Sequence, residues 1–168
     1  LFTVWSKCIR RELLLPNLER VPKSILMGED AATVLPVLAA AKSIYISRFA
    51  GYCYRDNPDS ITNNFRASDA KNNELLIGYL ESTLGDAYSE RLRVYCLDLT
   101  YEYMYAGIHH FSSASEFGKT MKENIEETTK KRIRKASVKG LSLPRRFLLW
   151  LCRTGRYTLL FALYHTKK

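Results

Sequence analysis

The pattern of apolar and polar positions changes near residue 64. Before that point it is mixed. "SKCIRRELLLP" reads as a short helical stretch ended by Pro16. The acidic pair Glu29 and Asp30 then opens a helix over 30–42. Pro36 falls inside it, where a proline removes a donor and crowds the preceding turn, so a kink or a first-turn position is expected. "SIYISRF" (43–49) reads as a β-strand, with Ile44, Tyr45 and Ile46 as good strand formers, and "GYCYR" (51–55) as a second short strand. "DNPDSITNN" (56–64) has the composition of a loop.

Beyond residue 64 the period is helical. Leu75, Leu76, Tyr79 and Leu80 mark a helix over 68–84, and Gly85-Asp86 breaks it. Leu92, Tyr95, Cys96, Leu99 and Tyr103 form a stripe on a second helix over 87–110. "SSAS" (112–115) supplies capping hydroxyls for a third over 115–136, on which Glu126–Lys130 and Glu127–Lys131 are favourable i,i+4 pairs. A break at 140–144 precedes a last, strongly apolar helix over 144–165. The fold class expected is α+β and predominantly helical: short strands near 43–55, then about four helices.

Composition narrows the picture. The chain has 168 residues, 46% of them apolar, with 11 Tyr, 7 Phe and 2 Trp, which suits a folded domain rather than disorder. Four scattered cysteines with no CxxC suggest neither zinc nor a redox pair, and a reducing compartment is the simplest reading. His109, His110 and His165 do not form a metal-ligand spacing. The opening "LFTVWSKCIRR" lacks a Met and a signal peptide and reads as a fragment or a processed chain.

Charge is uneven. Residues 1–62 carry +2, 63–112 carry −3 and 113–168 carry +10, and from Thr128 onward there are 12 basic residues and no acid. Such a tail suits an anionic partner. Arg153 and Arg156 interrupt its apolar runs (147–152 and 157–166), so it is not expected to span a membrane. On one continuous helix Arg145, Arg146, Arg153 and Arg156 share an arc of about 100°, which suits an anionic membrane surface. A core helix with a solvated basic edge is the alternative. No nucleic-acid-binding motif accompanies the charge.

Several short elements occur in one order: "WSK" at 5–7, the basic pair Arg10-Arg11, "GED" at 28–30, a helix ending in "AAAK", the strand "SIYIS", "GYCYR" at 51–55 and "DSIT" at 59–62. Together they resemble the C-terminal half of the catalytic domain of bacterial family 2 glycosyltransferases. The resemblance is densest over 5–62. Ser6 stands where the family has Asn, and Cys8 where it has Leu.

The resemblance implies a partial GT-A domain that lacks its nucleotide-binding half, with residues 1–64 as the acceptor side of the catalytic domain and 65–168 as a helical extension. It implies inverting transfer of a sugar from a nucleotide diphosphate to a hydroxyl of a glycan or lipid-linked acceptor, in cell-surface polysaccharide synthesis. Asp30 takes the role of general base, with Glu29 as a supporting carboxylate. Arg55 is placed near the donor diphosphate in a closing loop. Ser60 and Thr62 either bind phosphate or cap a turn. Trp5 stacks on a sugar or fills the core, and Lys7 pairs with an acid or serves structure. Mg²⁺ or Mn²⁺ is expected only with the missing Asp-x-Asp motif, so this chain holds no metal and is inactive alone. A cytoplasmic location, peripheral on the inner membrane face, follows from the same resemblance and the basic tail. The rival expectation is a non-catalytic helical module that binds anionic membrane or a partner protein.

Overall fold

The computed structural model describes residues 3–48, 51–53, 64–139 and 143–166. The described residues contain eight α-helices: α1 (Arg11–Leu18), α2 (Glu29–Ala40), α3 (Asp69–Leu84), α4 (Ser89–His110), α5 (Ala114–Asn124), α6 (Glu127–Lys135), α7 (Leu143–Arg153) and α8 (Tyr157–His165). Among them there is no strand, which overturns the α+β expectation and the partial GT-A domain that would have carried the strands. Residues 43–48 and 51–53 are irregular. The rest of the two expected strands (49, 54 and 55) lies outside the described residues. The physical reason is that strand propensity takes effect only with a neighbouring strand and a core on one face. Ile44, Tyr45 and Ile46 have neither and stand 63%, 91% and 84% exposed.

Helix α4 is the spine. Leu92 near its start joins Ile25, Ala32 of α2 and Leu76 and Leu80 of α3 in one apolar cluster. Cys96 and Leu97 meet Ile77, Ile133 and Leu149 in a second. Tyr103, Met104 and Ile108 meet Phe117, Met121, Leu151 and Phe161 in a third. Of the expected α4 stripe, Leu92, Cys96 and Tyr103 are buried, whereas Tyr95 and Leu99 pack at its margin.

Two expected long helices are each divided. The span 115–136 breaks at Ile125, whose backbone is extended (φ −82°, ψ 107°) and whose side chain is buried. The bend lets Phe117 and Met121 of α5 and Ile133 of α6 all face inward. Lys130 pairs with Glu127 at 2.8 Å, an i,i+3 partner one residue closer than the expected i,i+4 partner Glu126. The span 144–165 breaks at Gly155, which has φ +68°. The Gly155 amide donates to the Cys152 carbonyl (3.2 Å) and the Arg156 amide to the Leu151 carbonyl (3.0 Å). That pair of bonds is a Schellman turn, which glycine permits at its left-handed position. Helix α8 then packs on α5 where Gly118 admits Thr158; a Cβ on Gly118 would lie 2.6 Å from the threonine methyl.

The break also removes the expected basic arc, because Arg156 no longer shares a helix with Arg146 and Arg153. The side chain of Arg145 lies outside the described residues. Arg153 turns inward and donates to the carbonyls of Ile133 (2.9 Å) and Ala136 (2.5 Å), covering the C-terminal end of α6. Arg132 is also used internally. It forms a two-pronged pair with Glu81 (2.9 and 2.7 Å) and a third bond to Glu74 at 2.5 Å, tying α6 to α3. The Thr129 hydroxyl donates to the second oxygen of Glu74.

Burial pushes the Glu74 carboxyl up. Hydrogen bonds from Thr129, Arg132 and Thr128, with the charge of Arg132, outweigh that, and the carboxyl lies below its ordinary 4.5. A lowered folded value means that Glu74 stabilises the fold fully above pH 4.5 and loses that contribution as pH falls through the folded value. Arg132→Ala leaves two partly buried carboxylates without their cation. It is expected to lower stability by about 3 kcal/mol at neutral pH, read from urea unfolding. The gap between variant and wild type should narrow below pH 4.5; a gap that persists in acid would count against this role.

Candidate functional site

The acidic pair sits at the start of α2, and a glycine puts it there. Gly28 has φ +84°, in the left-handed region, and a Cβ at this position would lie 2.6 Å from a methyl of Leu76. Both the turn and the close approach to α3 therefore call for glycine. The Gly28 carbonyl accepts from the Ala32 amide (2.9 Å), which makes Glu29 and Asp30 the first two residues of the helix. Here the unpaired amides and the helix dipole favour carboxylates. Pro36 lies beyond the first turn, and the helix continues through it to Ala40.

Glu29 is exposed and Asp30 half-buried. Asp30 does more than open a helix. Its Oδ2 accepts from the Val4 amide at 3.1 Å, bringing the N-terminal segment across the start of α2. Trp5, the next residue, stacks on Tyr52 with ring centroids 4.6 Å apart and planes 21° apart. Three elements far apart in sequence, "WSK", "GED" and "GYC", thus meet. Trp5 is 39% exposed, so it is not a core residue but part of an accessible aromatic face. Lys7 donates to the Thr3 carbonyl at 2.5 Å, a bond that fixes the local turn. Ser6 in that turn has φ +67°, a conformation that asparagine adopts far more readily than serine. Arg55, Ser60 and Thr62 lie outside the described residues.

A buried amide holds the approach to α2. Asn72 of α3 accepts from the Leu26 amide (2.8 Å) and the Met27 amide (3.1 Å), and donates to the Met27 carbonyl (2.8 Å). One side chain thereby satisfies three backbone groups just before Gly28. Sequence reading does not single out Asn72, although a polar residue beside Leu76 and Leu80 on a buried face is the signal for such a clamp.

Two further features went unseen in the sequence. An open hollow of about 300 Å³ beside α4 is lined by Tyr95, Asp98, Leu99, Tyr101 and Glu102. Burial and the neighbouring Asp98 push the Glu102 carboxyl up, and burial with both acids pushes Tyr95 to about 12. An acid pair at i,i+4 is the sequence signal for it. The Tyr164 hydroxyl lies 2.9 Å from His109 Nε2, joining α8 to the end of α4. Among the described residues no three His, Cys, Asp or Glu side chains gather as a metal site. All four cysteines are unpaired; burial pushes the thiols of Cys96 and Cys152 to about 11 and about 12.

Asn72→Ala removes the clamp without adding bulk. It is expected to destabilise the protein by about 1–3 kcal/mol. Amide exchange at Leu26 and Met27 should accelerate, while the amides of Met121 and Ile125 keep their protection. Unchanged exchange at Leu26 and Met27 would show that the loop is held by other contacts.

Compared with protein-family models, with curated proteins and with solved structures, the chain finds no match.

Proposed function

We propose that this chain is the C-terminal part of a family 2 inverting glycosyltransferase, with Asp30 as the general base. The observation that supports this reading best is that the Val4 amide donates to Asp30 while the next residue, Trp5, stacks on Tyr52. A carboxylate beside an accessible aromatic face suits a sugar acceptor. The apolar face of a sugar ring rests on the aromatic rings, and a ring hydroxyl reaches the carboxylate. The Val4 amide occupies one position on Oδ2 and orients the group, while a carboxylate keeps further lone pairs for the hydroxyl.

In the reaction, the acceptor oxygen attacks the anomeric carbon of the donor from the face opposite the diphosphate. The new C–O bond forms as the bond to the diphosphate oxygen breaks, and the diphosphate leaves with the electron pair. Asp30 takes the hydroxyl proton. One base suffices because no covalent intermediate forms. Exposed Glu29 serves to orient the acceptor. Arg55, Ser60 and Thr62 enter through the resemblance alone: Arg55 toward the donor diphosphate, Ser60 and Thr62 toward phosphate or a turn. Lys7 serves the turn that carries Trp5. Nucleotide and divalent metal belong to a segment preceding residue 1, and no step assigned to Asp30 runs through them. The acceptor is a glycan or lipid-linked glycan of a cell-surface polysaccharide, and the location is the cytoplasm at the inner membrane face. Among the described residues no helix is long and apolar enough to cross a membrane.

The test is sugar transfer by the protein carrying its upstream coding sequence. Asp30→Asn is expected to lower kcat by about 10²–10⁴, with donor affinity nearly unchanged. Turnover above half that of the wild type would remove Asp30 as the base.

A further inference from the structure

Helix α7 uses one side for the core and leaves the other uncovered. Leu149, Leu151 and Cys152 are buried. Leu143, Phe147 and Trp150 are 78%, 48% and 43% exposed. Their i, i+4, i+7 spacing puts them in one stripe along the helix. The rings of Phe147 and Trp150 lie near-parallel, 18° apart, with centroids at 5.9 Å. Exposed Arg146 borders the stripe. From the Gly155 turn, Arg156 reaches back and sets its guanidinium 4.8 Å above the Trp150 ring. The outward face is therefore apolar along its middle and cationic at its edges.

We propose that this face docks on an anionic lipid surface. Charge selects the occupant. The segment from 113 onward carries +10. Arg132 and Arg153 are bound internally; Arg146 and Arg156, at the edges of the stripe, are exposed, as are Lys131, Lys135 and Lys139 on α6 and just after it. A second copy of the chain would set these like charges against one another, whereas a layer of phosphate headgroups neutralises them. The side chains fit the same occupant. Tryptophan favours the boundary between acyl chains and headgroups, and arginine beside it keeps its charge in water while its stem covers apolar surface. Eleven residues make a helix about 16 Å long, which lies in the interface rather than crossing it. The surface differs from the arginine arc expected on one continuous helix: it is built on the outward apolar residues of α7, Leu143, Phe147 and Trp150, with Leu151 turned into the core.

This docking face does not rest on the transferase reading, and its test is separate. The full chain is co-sedimented with vesicles of phosphatidylcholine alone and of phosphatidylcholine mixed with phosphatidylglycerol. Binding to the mixed vesicles is expected, with little to the neutral ones. Phe147→Ser with Trp150→Ser should weaken it by about tenfold or more. Leu143→Ser and Arg146→Glu, both at exposed positions, should each weaken it several-fold, with unchanged urea unfolding checking that the fold is kept. The Arg146→Glu effect should shrink at high salt, as the Debye length falls from about 10 Å at 0.1 M to about 3 Å at 1 M. Leu26→Ser, at an exposed apolar position outside α7, should bind like the wild type. No binding, equal binding to both vesicle types, or full binding by Leu143→Ser and Arg146→Glu would overturn the proposal. A concentration-dependent dimer that Leu143→Ser dissolves, without vesicle binding, would overturn it in favour of a second copy.

Discussion

The candidate site depends on the contact between Gly28 and Leu76. The glycine has no Cβ, so the turn before α2 settles directly on α3, and Leu76 fills the space a side chain would need. Asn72, one turn away on the same face, satisfies the backbone of Leu26 and Met27. Together they fix where α2 begins. That start fixes Asp30, and Asp30 in turn fixes Val4 and positions Trp5. A different face of α3 carries Glu74 and Glu81, which hold α6 through Arg132. A single helix therefore joins the acidic site to the basic C-terminal bundle.

The tail shows how far net charge misleads when it is read without a fold. Its arginines do different work. Arg132 neutralises two acids, Arg153 covers carbonyls, and Arg156 lies over an indole ring. Each costs desolvation that a hydrogen bond or an aromatic face offsets. Several of the tail's charges are thus engaged within the protein, so the whole count overstates what it presents to solvent. The apolar stripe of α7 is the feature that gives this charge a direction.

Much of the helical order was legible. The capping serine ahead of α5 was readable: Ser113 accepts from the Glu116 amide at 3.5 Å. The break after α3 was announced by Gly85. The division of the last helix was also written in the chain, since Gly155 between Thr154 and Arg156 is the expected stop, but the apolar run around it masked the signal. The bend at Ile125 had no such mark. It arises from the need to bury Phe117 and Ile133 together, a tertiary demand that local pattern does not contain. The strand reading of 43–49 failed for the complementary reason: the residues have the propensity, yet the described chain supplies no edge to pair with. For the site, the resemblance pointed to Asp30 and left Trp5 between a sugar platform and a core position, whereas the bond from the Val4 amide to Asp30 and the Asn72 clamp required the fold.

Whether Trp5, Asp30 and Tyr52 form one surface is decided most directly by proton–proton nuclear Overhauser contacts in the intact chain at neutral pH. Cross-peaks between the Trp5 indole and the Tyr52 ring, and between the Val4 amide and the β-protons of Asp30, are expected. The Phe117–Phe161 pair, with ring centroids 5.4 Å apart in the core, serves as the internal reference. Core cross-peaks without either of the other two would contradict a shared site and leave Asp30 as the first turn of a helix.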